Sequence, residues 1–270
     1  MARTRCSNSR APIVGVFDAG IGGLPLAAAI KRARPDVGIV YLADSARRPY
    51  GPQPQHAIRG YMAEVAAFFD ATGSDLWAVA CNTASVAVQD MPIGRAARID
   101  MVHAVRRATS RAGDQRFGLL ATASTVASGV MIEALPDHDV VQVATEELLR
   151  LAEVGSTDRA AIQQLSLQAI DCLSETGCTA AVLACTDFTA VLPMMAEVAG
   201  MMTLIDPLDS ALDLVLETIG EHAAADGAHG VDRLCLTGPH PVNVRGYARQ
   251  ELGLELPEPE IVTLPPPLRH

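Results

Sequence analysis

The chain has 270 residues, 49% of them apolar, enough to bury a large core either as one big domain or as two of about 100 to 130 residues; two lobes are the expected arrangement. A net charge of −10 argues against nucleic acid and anionic membranes as partners, because either would repel the protein, and it favours small-molecule chemistry. No apolar run approaches the roughly 20 residues of a membrane span, and the basic stretch 1–10 opens only the short run 11–17, so the reading is a soluble cytoplasmic protein with a loose N-terminal tail.

Short apolar runs at 12–17, 38–42, 76–80, 99–102, 117–121, 140–144, 180–184, 203–205 and 233–236 are too short for typical helices and read as buried strands. Helical stretches such as 57–71 and 159–175 separate them, an alternation that predicts an α/β fold with mostly parallel sheets. Turn signals at 20–23, 48–54, 73–75 and 177 punctuate the runs, and the Pro-rich stretch 256–270 reads as an extended tail. Ligands in this architecture bind beyond the carboxyl ends of strands. That rule selects Asp18, Asp44, Ser45, residues 81–83, residues 122–125 and residues 185–187.

Two of these segments echo one another. LWAVACNT (76–83) and AVLACTD (181–187) both run apolar strand, Ala-Cys, then Thr and a helix, which suggests two similar half-domains facing each other. Cys81 closes a strand where a helix opens, and Cys185 has the same setting with Thr186 and Asp187 in the first turn; unpaired N–H groups and the helix dipole there are expected to lower a thiol pKa. Either cysteine alone reads more readily as a small core residue. Together they are suited to acid–base work on opposite faces of one carbon, whose natural outcome is inversion of a stereocentre without a cofactor. Asp18 precedes the turn Ala19-Gly20-Ile21-Gly22-Gly23 and is either a helix N-cap or a group that orients a substrate ammonium or tunes Cys81. A dinucleotide loop is not supported, because Pro25 occupies the third glycine position of G-x-G-x-x-G. Asp187 is either a favourable first-turn acid or the proton partner of Cys185. The six cysteines are expected to be free thiols, and their spacing without a nearby His argues against a metal site. His56, His222, His229, His240 and His270 lie in polar stretches and are expected to be solvated, while His103 sits at a strand end.

The chain resembles glutamate racemases of the aspartate/glutamate racemase superfamily, through VGVFDAGIGGL (14–24), YLADSARRPYG (41–51), VACNTAS (79–85), GLLATASTVASG (118–129) and LACTDFT (183–189). The resemblance implies two α/β lobes with the active site in the cleft between them, the first being 12–104 plus 209–255 and the second 105–208, with tails at 1–11 and 256–270. It implies Cys81 and Cys185 as the two catalytic bases, Cys81 toward the D-enantiomer and Cys185 toward the L-enantiomer. It places Asn82, Thr83 and Thr186 on the substrate carboxylates and amino group, Ser45, Pro49, Tyr50 and Gly51 in a loop that closes on the substrate, and Thr125 as a further binding hydroxyl. An acidic residue of the second lobe is implied at Glu147 or Glu153, and a homodimer supplying D-glutamate for peptidoglycan is the implied setting. Two positions depart from the pattern: Ala19 stands in the substrate-binding turn where a serine is usual, and Asp187 where a histidine is usual. These departures leave open a racemase, epimerase or isomerase of another amino or carboxylic acid in specialised metabolism. A non-catalytic relative on the same fold and a decarboxylase are also conceivable, although retention of both thiols speaks against each.

Overall fold

The computed structural model describes residues 10–92, 94–112, 116–220 and 229–267. Most of the expected N-terminal tail, with Cys6, and also His222 and His270, lie outside the described residues. In chain order the elements are β1 (Ile13–Asp18), α1 (Leu24–Ala33), β2 (Gly38–Ala43), α2 (Gln55–Thr72), β3 (Leu76–Val79), α3 (Asn82–Ala87), β4 (Ala97–Asp100) and α4 (Met101–Ala112). There follow β5 (Phe117–Ala121), α5 (Ala123–Ser128), α6 (Val130–Glu133), β6 (Val140–Ala144), α7 (Glu146–Glu153), α8 (Arg159–Glu175), β7 (Ala180–Ala184), α9 (Phe188–Val198) and β8 (Thr203–Ile205). The chain closes with α10 (Leu208–Ile219), β9 (Arg233–Leu236), α11 (Val244–Leu252) and β10 (Glu260–Ile261).

The strands form two sheets, ordered β10-β9-β2-β1-β3-β4 and β6-β5-β7-β8, and every pairing is parallel. Parallel strands covered on both faces read as unbroken apolar runs rather than alternating ones, which is why IVGVFD, GIVYLA and AAVLA stand out in the sequence. On the first sheet, α1, α10 and α11 bury Leu24, Ile30, Val215 and Ala248 against one face, while α2 and α3 bury Met62, Phe69 and Ala84 against the other, Phe69 stacking on Trp77. On the second sheet, α7, α8 and α9 pack Leu148, Ile170 and Phe188 onto one face. The opposite face receives Val86 of α3, Val102 and Val105 of α4, and Met131 of α6. Among the described residues no helix is long and apolar enough to cross a membrane.

Two expectations need correction. The strand expected at 99–102 ends at Asp100, because the Asp100 carboxylate accepts the N–H groups of Val102 and His103 and starts α4 there. His103 therefore lies in a helix, with its Nδ1 2.8 Å from Asp100 Oδ1. Within the stretch expected as a tail, Glu260–Ile261 pairs with Cys235 and Leu236 as an edge strand, anchored by Arg233 on Glu260. The expected lobe boundary at 104/105 falls inside α4, whose residues enter both cores: Met101 and Ala104 join the first sheet, Val102 and Val105 the second.

Candidate active site

The loops after β1, β2 and β3 face the loops after β5, β6 and β7 across a cleft of about 280 Å³. Its lining includes Asp18, Ala19, Cys81 and Thr83 from the first sheet and Thr122, Cys185, Thr186 and Asp187 from the second, closed above by residues 48–52 and by Glu146, Leu149, Arg150 and Glu153 of α7. Across the two sheets, Thr186 Oγ1 donates to Asp18 Oδ2 at 3.0 Å on the floor of the cleft. That contact requires Gly22, since a Cβ there would stand 2.4 Å from Thr186 Oγ1. The other oxygen of Asp18 accepts the Gly20 N–H at 2.7 Å, and Tyr41 Oη donates to the Gly20 carbonyl, so the β1–α1 turn is fixed from two sides. Asp18 is thus no helix cap; Gly23 holds the N-cap position of α1.

Cys81 is the N-cap residue of α3, as expected, and is 8% exposed. Its thiol pKa is nevertheless pushed up, chiefly by burial and then by the charge of Asp18, and the N–H groups of Ala84 and Ala19 only partly offset this. The expected lowering by the helix start is overturned: removing a thiolate from water costs more than the N–H groups offered to it return. Cys185 differs from Cys81 in its local setting. Residues 185–187 form a turn, with Phe188 N–H donating to the Cys185 carbonyl, and α9 begins only at Phe188, so Cys185 does not sit at a helix start. Its thiol is also pushed well up, by burial and then by Asp187. Cys185 Sγ donates to Asp187 Oδ2 at 3.7 Å. The carboxyls of Asp18 and Asp187 are raised from 3.8 to about 6 and about 7 respectively, first by burial; for Asp187 the charges of Asp18 and Glu153 add to the rise. Two thiols held protonated by burial and two carboxyls raised toward neutrality therefore surround one small space.

Of the residues singled out from sequence, Asp18, Ala19, Pro49, Tyr50, Gly51, Cys81, Thr83, Cys185, Thr186 and Asp187 all line this cleft, and Ser45, Asn82 and Thr125 do not. The Ser45 hydroxyl is occupied behind the loop, donating to the Gly238 carbonyl at 2.6 Å and accepting the Gly238 N–H. Thr125 is fully buried in a cluster of hydroxyls with Thr122 and Thr83, where it can orient Thr83 but does not reach the cleft. Asn82 faces a second space of about 10 Å³ on the far side of Cys185 and Thr186, and neither of its amide atoms has a protein partner. Tyr50 is held by its hydroxyl on the fully buried Asp44, which also takes Arg47 and Thr237. Of the two candidate second-lobe acids, Glu153 lines the cleft and Glu147 does not. Sequence reasoning missed Arg48, Glu146 and Arg150. Arg48 adjoins the Pro49-Tyr50-Gly51 loop, a local signal in the sequence, whereas the α7 residues carry none. His240, expected to be solvated, is half-buried with its Nδ1 accepting the Val242 N–H, and the site of a Cβ on Gly20 lies 3.4 Å from its Nε2. Five free thiols are described, those of Cys81, Cys172, Cys178, Cys185 and Cys235.

Two parallel α/β units with a thiol and a carboxyl each at the shared cleft make a site suited to acid–base chemistry on a small molecule. The family description Asp/Glu/Hydantoin racemase matches residues 26–215. The chain is 31% identical to a glutamate racemase of Beutenbergia cavernae over 92% of its own length and 91% of that protein. It is 34% identical to a glutamate racemase of Roseiflexus over 76% of its length and 77% of that protein. A crystallised glutamate racemase isoform of Bacillus anthracis superposes with a TM-score of 0.82 at 26% identity, covering 95% of this chain and 99% of the other. The chain belongs to the Asp/Glu/hydantoin racemase family, and with it to the isomerases, as an amino-acid racemase.

Proposed function

We propose that this protein interconverts L- and D-glutamate without a cofactor, Cys81 and Cys185 serving as acid and base on opposite faces of Cα. The observation that carries this reading is the convergence of two thiols, each from the end of a strand in a different sheet, on one cleft. In one direction the Cys81 thiolate removes the Cα proton while the Cys185 thiol delivers a proton to the other face; the reverse direction exchanges the roles. Burial keeps both thiols protonated in the free cleft, so a bound ammonium group, by adding positive charge, favours the thiolate that the reaction needs. Asp187, placed to accept from Cys185 Sγ, takes up that thiol's proton, and Asp18 balances the ammonium beside Cys81. Thr83, Thr186 and Asn82 hold carboxylate and amino groups in this scheme, with the Pro49-Tyr50-Gly51 loop above them. The names of the relatives in Beutenbergia and Roseiflexus support glutamate as the substrate. On the same reading the lobes divide as 12–104 plus 209–255 and 105–208, the working form is a cytoplasmic homodimer, and the D-glutamate supplies peptidoglycan precursors.

A second reading keeps the two thiols and changes the substrate to another amino or carboxylic acid. Ala19 and Asp187 favour it, since the first removes a hydroxyl from the cleft and the second adds an acid there. Incubation of the protein with L- or D-glutamate in deuterated water separates the two. Deuterium entering Cα, and lost in Cys81→Ser and in Cys185→Ser, is the expected result; exchange confined to some other acid in a panel would overturn glutamate and leave the two-thiol mechanism in place.

A further inference from the structure

Arg48 follows β2 on the first sheet, and Glu153 ends α7 on the second. Arg48 Nη2 donates to Glu153 Oε1 at 2.6 Å across the mouth of the cleft, and both side chains line it. The Arg48 side chain is 14% exposed and that of Glu153 23%, so the pair sits nearer to solvent than Cys81 and Thr83 but inside the rim, where Arg150 is exposed. Besides Arg150, the other carboxyl and basic side chains described in the lining are Asp18, Asp187 and Glu146, all acidic, of which Glu146 is engaged by the Ala123 N–H. Half-buried His240 stands near Arg48; burial, and after it the Arg48 charge, hold its pKa down, so it adds no competing positive charge near neutrality. Arg48 is therefore the one inward-set guanidinium among the described lining residues, and the carboxylate it holds comes from the opposite wall.

We propose that Arg48 reads the side-chain carboxylate of an acidic substrate, and that Glu153 is a resident stand-in for that carboxylate which the substrate displaces. A substrate whose Cα lies between the two thiols extends its side chain toward the mouth, where the guanidinium can exchange one carboxylate for another without losing its charge-assisted bond. The freed Glu153 turns to water, to which it is already partly exposed. Binding of an acidic side chain thus breaks the bridge between the β2 loop and α7, and a neutral side chain leaves it closed. Arg48 is on this account a specificity-determining residue, and Glu153 an internal competitor. The inference rests on the reading of the protein as a racemase of an acidic amino acid.

The two partners of one ion pair then have opposite effects, which a structural salt bridge would not produce. Calorimetric titration of the full chain, of R48Q and of E153Q with D-glutamate and with D-glutamine tests this. In R48Q glutamate binding should weaken by about tenfold or more, the loss of one charge-assisted bond, while glutamine binding changes less than about twofold. In E153Q glutamate binding should tighten, by about threefold or more, with glutamine again unchanged. Weaker glutamate binding in both variants, equal changes for the two ligands, or no glutamate binding to the unsubstituted chain would overturn the proposal. E153Q alters a partly exposed residue and decides the question alone if R48Q does not fold. Deuterium exchange measured in parallel keeps the two readings apart: glutamate binding with the opposite responses but no exchange at Cα would remove glutamate racemisation and leave the recognition role of Arg48 standing.

Discussion

Replacing Asp18 by Asn tests whether burial dominates the electrostatics of the cleft. Asp18 is 4% exposed, and burial raises its carboxyl from 3.8 to about 6 against the opposing pull of the Gly20 N–H, the Thr186 hydroxyl, the Gly22 N–H and the Arg48 charge. A carboxyl whose folded pKa lies above its unfolded value stabilises the fold fully below the unfolded pKa and loses that contribution as pH rises through the folded one. The rise of some two pH units corresponds to roughly 3 kcal/mol at about 1.36 kcal/mol per unit. Asparagine keeps the shape: its amide oxygen can accept from Gly20 N–H, and its NH₂ can donate to a rotated Thr186 hydroxyl, so the bonds at 2.7 and 3.0 Å have replacements. D18N should match the unsubstituted protein near pH 3.8, gain stability as pH rises through about 6, and level off roughly 3 kcal/mol more stable, about 6 °C in Tm. Urea unfolding at a series of pH values reads this directly. A variant less stable than the parent by the same amount at every pH would refute the argument, because the carboxylate would then be a net stabiliser of the fold.

Three further substitutions probe the site and the packing beneath it. Asp187→Asn should abolish a limb of the kcat/KM profile that otherwise rises with pH through about 7, the pKa to which burial lifts Asp187, and should slow exchange by about a hundredfold; a pH profile of deuterium exchange shows whether the limb persists. Gly22→Ala puts a methyl 2.4 Å from Thr186 Oγ1 and 2.7 Å from its Cβ, which should break the Thr186–Asp18 bond and cost about 1–3 kcal/mol, visible as a lower Tm with reduced turnover. Ser85→Ala removes a fully buried hydroxyl that donates to the Val79 carbonyl and accepts the Met101 N–H, both at 3.0 Å; the orphaned N–H should cost about 1–3 kcal/mol in chemical denaturation.

The sheets were legible because parallel strands buried on both faces leave contiguous apolar runs, as in β5 and β7 at 117–121 and 180–184. β6, β8 and β9 also fall on the runs at 140–144, 203–205 and 233–236, although the edge strands β6 and β8 are only partly covered rather than buried as expected. The end of β4 was not, because the apolar residues Met101 and Val102 continue the run straight into α4, where the cap supplied by Asp100 depends on a side-chain direction. Nor was β10, since a two-residue edge strand carrying Glu260 has no apolar signature. Within the site, the rule that ligands lie beyond strand ends located Asp18, Cys81 and Cys185 because chain connectivity alone fixes those positions. Ser45 and Thr125 obey the same rule yet turn their hydroxyls away from the cleft, a choice made by the distant Gly238 and by Thr83. Arg150 and Glu153 reach the cleft only because α7 folds over it. The sign of the thiol shifts is not legible for a related reason: a helix start is local and visible in sequence, whereas desolvation depends on the whole surround.

The placement of α4 bears on how the protein comes apart. Neighbouring residues of one rigid helix, Met101 and Val102, then Ala104 and Val105, are embedded in the hydrophobic cores of different sheets. Neither sheet can shed its half of that helix without exposing the other's, so equilibrium unfolding should be one cooperative transition rather than two successive ones. The same helix is thus a shared wall: drawing the two sheets apart would strip apolar cover from both cores at once.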